Sequence, residues 1–311
     1  MHRKNVHKEK FLKRLKSDIH HNWSLYLLVI PVILFYILFK YKPMYGALIA
    51  FKDFTPTKGF DGSAWVGIKH FARFFNSPYF GRLLKNTFLL SFYNLLFGFP
   101  APIILALMLN EVKNVTFKKI TQTVTYLPHF LSLVVICGMV ADFSLTNGLF
   151  NNIIEFFGGT RTPLLQYEEN YRTIYVISGI WKEVGWGTII YLAALSGIDM
   201  QLYEAAKIDG AGKWKQTIHV TLPGITPQII ILLIMKIGSL MTLGYEKTIL
   251  LYNPAIYDTA DIISSYVYRV GLLNAEWSYS TAIGLFNSLI NCILVISANY
   301  ISKKTTENSL W

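Results

Sequence analysis

The chain has 311 residues, of which 53% are hydrophobic and only 15% are charged, a composition that indicates an integral membrane protein. Its formal net charge of +11 comes from 29 basic and 18 acidic residues. The basic residues concentrate in loops and in the N-terminal tail, beside apolar stretches. We therefore interpret the positive charge as attraction to anionic lipid and as a determinant of orientation in the bilayer. On this interpretation nucleic acid is excluded as a partner. Cys137 and Cys292 lie within apolar segments, where neither a disulfide nor a metal site is expected.

The N-terminal part begins with a polar, predominantly basic tail over residues 1–22, which we predict to be cytoplasmic. The apolar run at 23–39 is longer than most signal-peptide cores, and residues 40–43 (Lys-Tyr-Lys-Pro) offer no small-residue cleavage site. We therefore predict an uncleaved first transmembrane helix. An external segment, rich in aromatic residues suited to the membrane interface, is predicted at 40–81.

Five further apolar segments approach the roughly 20 residues that a helix needs to cross the hydrocarbon core. They lie near residues 86–109, 124–145, 172–196, 226–245 and 280–301. The sequence thus predicts an all-α, polytopic membrane protein with six transmembrane helices and both termini on one side. In the fifth span, Thr226 is the predicted N-cap and Pro227 the first helical residue.

A polar stretch over residues 204–223, EAAKIDGAGKWKQTIHVTLP, separates the fourth and fifth spans. Residues 204–208 are strong helix formers, and Gly210 and Gly212 permit a sharp turn in which φ is positive. A second short helix is predicted at 213–220, and Pro223 should end it because proline has no backbone donor.

This stretch resembles the EAA loop of permease subunits of type I ABC importers, in the binding-protein-dependent transport system inner-membrane component family. The family pattern falls at the same spacing here, at Glu204, Ala205, Ala206, Asp209, Gly210, Ala211, Thr221, Leu222 and Pro223, and Trp214 matches a common aromatic position. At position 217 this chain has a threonine, where the family commonly has an aromatic residue. An amphipathic helical hairpin on the membrane surface is the alternative. Segments 42–47, 50–54 and 65–71, with the first span, resemble the LplB-like branch, which imports oligosaccharides.

The resemblance implies a type I importer core at residues 82–300, with five helices and the EAA loop, and a cytoplasmic tail at 301–311. It places the chain in a bacterial cytoplasmic membrane, surrounded by lipid, with both termini cytoplasmic. It also implies four kinds of partner: a second homologous permease in a heterodimer, two ABC ATPase subunits, an extracytoplasmic sugar-binding protein and an oligosaccharide substrate. The EAA loop would couple the ATPase to alternating access.

The sequence contains no complete catalytic or nucleotide-binding pattern. The nearest candidate for a phosphate-binding loop, residues 62–69, has the wrong spacing and lacks the Gly-Lys-Ser/Thr end. No catalytic constellation or metal-ligand pattern is found, so we predict a non-catalytic subunit without a cofactor of its own. The ATP and Mg²⁺ that drive transport would be bound by the partner ATPases.

Polar residues within spans cost about 2.5–3.5 kcal/mol each at the helix centre, so they mark either a substrate path or bonds between helices. The candidates for a sugar path are Trp181, Glu183, Trp186, Lys236, Ser239, Asn287 and Asn291. The tryptophan rings would stack on the apolar faces of the sugar, and the asparagine amides would bind its hydroxyls. Lys236 is predicted to pair with Glu183; if it faces the cavity instead, it favours an acidic sugar such as a uronate.

Three alternatives remain open on the sequence alone. The chain could be a permease for another solute, such as a peptide or a polyamine. It could also be a membrane scaffold or receptor subunit without a transport path. An intramembrane enzyme is disfavoured by the missing catalytic constellation.

Overall fold

The computed structural model describes residues 18 and 20–306, which are mostly helical and include one pair of two-residue strands. Most of the predicted tail at 1–22, and residues 307–311 of the predicted tail at 301–311, lie outside the described residues. The chain divides into two compact units, Met1–Gly67 and Ile68–Trp311.

The first unit contains one long helix and a small hairpin. Helix α1 (Trp23–Phe51) includes the predicted span at 23–39 and continues beyond it, and it is long and apolar enough to cross a membrane. Strand β1 (Lys52–Asp53) pairs with β2 (Ala64–Trp65) in antiparallel register, and the short helix α2 (Gly59–Gly62) lies between them.

The second unit is a bundle of long helices with short helices in its connections. In chain order these are α3 (Lys69–Phe75), α4 (Phe80–Glu111), α5 (Val115–Phe130), α6 (Leu133–Phe143), α7 (Leu149–Phe156), α8 (Glu168–Ser196), α9 (Met200–Ile208), α10 (Lys213–Gly238), α11 (Tyr245–Leu251), α12 (Tyr257–Ala260), α13 (Ile263–Tyr268) and α14 (Trp277–Thr306). Single turns of 3₁₀ helix at Leu164–Gln166 and Pro254–Ile256 and a π turn at Arg269–Leu273 complete the connections.

Within the described part of the chain, four helices are long and apolar enough to span a membrane, namely α1, α4, α10 and α14, and α5 with α6 would make a fifth. The prediction of six spans also counts α8, which has 29 residues but carries charged side chains. The span predicted at 124–145 is not one straight helix, because α5 and α6 meet at an angle of 100°. The Ser132 hydroxyl accepts a hydrogen bond from the Val135 N–H and so begins a new helix at the bend.

Three of the long helices contain a proline that does not end them. Each has a π turn that finishes two residues before a proline, at Ile37–Tyr41, Asn94–Gly98 and Thr217–Thr221. The wider turn accommodates the proline ring and its missing N–H. The prediction that Pro223 ends a helix is therefore wrong, because α10 runs through it. Thr226 and Pro227 likewise lie inside α10 rather than at its start, and the Thr226 hydroxyl donates to the Leu222 carbonyl.

Helix α8 packs against α4 and α5, and glycine permits both contacts. A Cβ on Gly185 would lie 2.1 Å from the Thr125 carbonyl oxygen of α5. A Cβ on Gly187 would approach Pro102 of α4 to 3.0 Å. Elsewhere in the bundle, α10 packs against α14 at Gly238 and Val295. Small residues thus bring the helix axes together, as is typical of membrane bundles.

An ion-pair network joins the connection before α14 to the start of α4. Asp261 is fully buried and accepts a hydrogen bond of 2.6 Å from the Arg269 guanidinium. Asn86 of α4 donates to the backbone carbonyls of Asp258 and Asp261. Burial alone would lower the pKa of Arg269, but the hydrogen bond and charge of Asp261 outweigh it and raise that pKa above its ordinary value. The Arg269 guanidinium therefore stays charged beside Asp261, and the ion pair fixes this connection against the bundle.

Candidate functional site

The EAA loop begins with α9 and turns at Gly210. Asp199 caps α9 by accepting from the Gln201 N–H, and α9 ends in a Schellman motif. In that motif the Gly210 N–H donates to the Lys207 carbonyl and the Ala211 N–H donates to the Ala206 carbonyl. Gly210 has a φ of +76°, so the predicted positive-φ turn is confirmed at this residue.

The turn is fixed against the start of α10 by side chains. The Tyr203 and Thr221 hydroxyls share a hydrogen bond of 3.0 Å, and the Gln216 amide donates to the Ala211 carbonyl over 2.7 Å. Lys213 forms an ion pair of 2.8 Å with Glu111 at the end of α4. These contacts make the loop a rigid extension of the bundle.

Two large apolar side chains project from this loop. Ile208 is 88% exposed and Trp214 is 76% exposed. Of the other predicted loop residues, Glu204, Ala205, Asp209, Gly210 and Pro223 are exposed, and Ala206, Ala211 and Leu222 are partly buried. Exposed apolar residues on a rigid polar element are typical of a docking surface for another protein.

A second candidate site lies on α8, next to the bend between α5 and α6. Glu183 binds the Lys182 ammonium at 2.7 Å and His129 Nδ1 at 2.9 Å. The His129 imidazole stacks on the Trp186 ring, with centroids 4.4 Å apart and planes within 2°. His129 was missed from the sequence. Its position beside Pro128, before the bend, was the available signal.

The predicted pair between Lys236 and Glu183 is wrong. The Glu183 carboxylate instead contacts its neighbour Lys182 and His129. The bend between α5 and α6 brings His129 close to Glu183. Lys236 is exposed and forms no ion pair with any described residue. Ser239 is also exposed, and its hydroxyl donates back to α10 carbonyls. The structure therefore leaves the Lys236 ammonium open to solvent or to a bound anion.

Asn287 and Asn291 of α14 hold the connection that follows α10. The Asn287 amide donates to the Met241 carbonyl over 3.0 Å. Asn291 accepts from the Met241 N–H over 2.9 Å and donates to the Thr242 hydroxyl over 2.8 Å. These hydrogen bonds join α14 to the connection that follows α10, and such a structural role was the alternative to sugar binding. The role of the two residues in a path stays a prediction.

Trp181 lies apart from Glu183 and Trp186, in the wall of an apolar cavity of about 680 Å³ between α6, α7 and α8. Phe143, Phe150 and Ile177 line the same cavity. The predicted path residues on α8 thus divide between this cavity and the polar cluster. Among the residues that the structure describes, no group of three or more His, Cys, Asp or Glu side chains is placed to hold a metal ion.

Comparison with known proteins adds three findings. Residues 98–307 match the family described as binding-protein-dependent transport system inner membrane component. The chain is 46% identical over 307 residues to the polygalacturonan/rhamnogalacturonan transport system permease protein YteP of Bacillus subtilis (strain 168). That alignment covers 98% of this chain and 96% of YteP. Protein LplB of the same organism is 46% identical over 302 residues, with 97% and 94% covered.

Two solved structures of bacterial alginate transporters have the same fold. One is a crystal structure of an alginate ABC transporter in complex with an alginate pentasaccharide-bound periplasmic protein. It matches with a TM-score of 0.87 at 42% identity, over 96% of this chain and 100% of that chain. The other, an ABC transporter involved in the import of the acidic polysaccharide alginate, matches with a TM-score of 0.86 at 44% identity, over 94% and 99%.

Proposed function

This chain belongs to the family of binding-protein-dependent transport system inner membrane components, and on that premise we propose that it imports an oligosaccharide of uronic acids. The comparisons confirm the importer family that the EAA loop predicted and the carbohydrate-importer function that the first span and segments 42–47, 50–54 and 65–71 predicted. One observation carries the acidic substrate: nearly full-length similarity to permeases whose names refer to polygalacturonan and to alginate. Both of those polymers are built from uronic acid units, which are carboxylates at neutral pH.

The charges on the candidate path agree with an anionic sugar. Lys182 pairs with Glu183, the one carboxylate among the candidate path residues, while Lys236 has no ion-pair partner among the described residues. A carboxylate on the substrate would neutralise an excess cation that is costly within the membrane. The exposed face of Trp186, which is 45% accessible, is suited to stacking on a sugar ring.

We also propose that the EAA loop couples this chain to ATP hydrolysis. Ile208 and Trp214 would insert into a groove of an ABC ATPase, and the rigid turn at Gly210 would carry its movement into α8 and α10. The complex would contain a second homologous permease and two ATPase subunits, which bind the ATP and Mg²⁺. An extracytoplasmic binding protein would deliver the sugar to a path that opens alternately to each side.

Transport of a defined substrate tests the proposed function. The complex is reconstituted in proteoliposomes with its ATPase subunits and binding protein, and uptake of labelled trigalacturonate is compared with uptake of labelled maltotriose. We expect ATP-dependent accumulation of trigalacturonate alone. Uptake of maltotriose alone would assign the chain to a neutral sugar. Absence of uptake of either sugar would reject trigalacturonate as a substrate, and with it the proposed substrate class.

The orientation of the chain follows from the same proposal, since the EAA loop must be cytoplasmic to meet an ATPase. Asp61→Cys and Lys304→Cys are introduced separately after replacement of Cys137 and Cys292, and both positions are exposed. An impermeant thiol reagent should label Asp61→Cys in sealed cells and Lys304→Cys only after permeabilisation. Labelling of Lys304→Cys in sealed cells would reverse the orientation.

A further inference from the structure

The polar recess is the small space beside Gly179 on α8, one helical turn before Glu183, that exists because glycine has no side chain. A Cβ built on Gly179 would lie 3.1 Å from the ammonium nitrogen of Lys247, which comes from α11. The same Cβ would lie 3.8 Å from the side-chain oxygen of Asn94, which comes from α4. Because glycine has no side chain, two polar groups from different helices converge on a space that any other residue would occupy.

The Lys247 ammonium is only partly satisfied. It donates one hydrogen bond, of 2.6 Å, to the Tyr175 carbonyl, and it lies 4.3 Å from the centroid of the Tyr175 ring. No carboxylate of the described residues forms an ion pair with it. An ammonium has three donors, and a partly buried cation without an anion is costly. This charge can accept an anionic partner without displacing an existing one.

Asn94 contributes a second free polar group. It begins the π turn of α4 that precedes Pro100, and its side chain makes no hydrogen bond within the described part of the chain. An amide both donates and accepts, so it can bind a sugar hydroxyl beside a carboxylate. The π turn directs this amide toward α8, and π turns within α-helices occur frequently at functional sites.

We propose that this recess binds the carboxylate of a uronic acid unit, with Lys247 pairing with the carboxylate and Asn94 bonding to a neighbouring hydroxyl. The inference rests on the proposed function, whose substrate class it explains. Gly179 and Glu183 are four residues apart on α8 and therefore share a face, so the recess extends the polar cluster at Lys182 and Glu183. Lys247 from α11 and Lys182 from α8 would thus place two cations near one face of α8 and recognise an acidic chain by more than one of its units.

Binding of two ligands that differ only in charge tests the recess. The purified complex in detergent is titrated by calorimetry with trigalacturonate and with its fully methyl-esterified form. We expect the wild type to bind the acid more tightly than the ester. Lys247→Met should weaken binding of the acid by about ten- to hundredfold, which is the effect of losing one hydrogen bond to a charged group, and leave the ester unchanged. Lys119→Met, at an exposed lysine of α5, is the matched control and should change neither affinity.

The outcomes separate this inference from the proposed function. If the wild type prefers the acid and Lys247→Met keeps that preference, the recess is not the carboxylate site, while the proposed function stands. If the wild type binds acid and ester equally, the uronate substrate itself is rejected. If gel filtration shows that the Lys247→Met complex does not assemble, Gly179→Ala is tested instead, because its Cβ crowds the Lys247 ammonium. If the Gly179→Ala complex binds both ligands as tightly as the wild type does, the proposal is overturned.

Discussion

Gly210→Val is expected to abolish uptake and substrate-stimulated ATP hydrolysis while the protein still inserts into the membrane. Gly210 has a φ of +76° and closes the Schellman motif at the end of α9. A β-branched residue in this left-handed conformation costs about 1–3 kcal/mol, which the loop avoids by changing its turn. Ile208 and Trp214, on either side of the turn, then lose their relative placement. Uptake and ATPase activity of the reconstituted complex measure the effect.

Gly212→Val is the matched control for this prediction. Gly212 has a φ of −67° and a ψ of 170°, a conformation open to any residue, and a Cβ there would meet no atom within 4 Å. The two glycines lie in the same loop, so a general loss of helix or solubility would affect both variants. We expect nearly normal transport by Gly212→Val. Normal transport by Gly210→Val would show that the turn does not couple the subunits.

Gly185→Ala should prevent assembly of the helix bundle although it adds a single methyl group. Its Cβ would lie 2.1 Å from the Thr125 carbonyl oxygen, which is backbone and cannot move aside as a flexible side chain can. Helices α5 and α8 must separate, which also breaks the contact of His129 with Glu183. Overpacking costs typically 1–3 kcal/mol and occasionally more, and we expect about 3 kcal/mol or more here. Thermal unfolding and gel filtration of the complex report the loss.

Gly138→Ala provides the comparison within the same bundle. Gly138 lies inside α6, and a Cβ there would meet no atom within 4 Å. Alanine is the better helix former, so this variant should be as stable as the wild type or slightly more so. A Gly185→Ala complex with wild-type stability would mean that α8 does not approach α5 as closely as the structure has it.

The sequence predicted the features that depend on neighbouring residues. The apolar segments appeared at nearly the right places because hydropathy sums over a short window of chain. The EAA loop was found from its spacing, and the positive φ of Gly210 followed from the turn that this spacing needs. Continuation of α10 through Pro223 was not predicted, because a π turn accommodates the N–H that the proline lacks.

Features that join distant parts of the chain were decided by the tertiary structure. Matching Lys236 with Glu183 by depth in the membrane failed because depth says nothing about which way a helix faces, and the bend between α5 and α6 brings His129 to Glu183 instead. Lys247 and Asn94 meet beside Gly179 from three separate helices, a meeting that no spacing in the sequence records. Local hydropathy and motif spacing thus determined the membrane class and the EAA loop. The arrangement of the polar residues within the spans was determined by helix rotation and close packing, which depend on contacts between residues far apart in the chain.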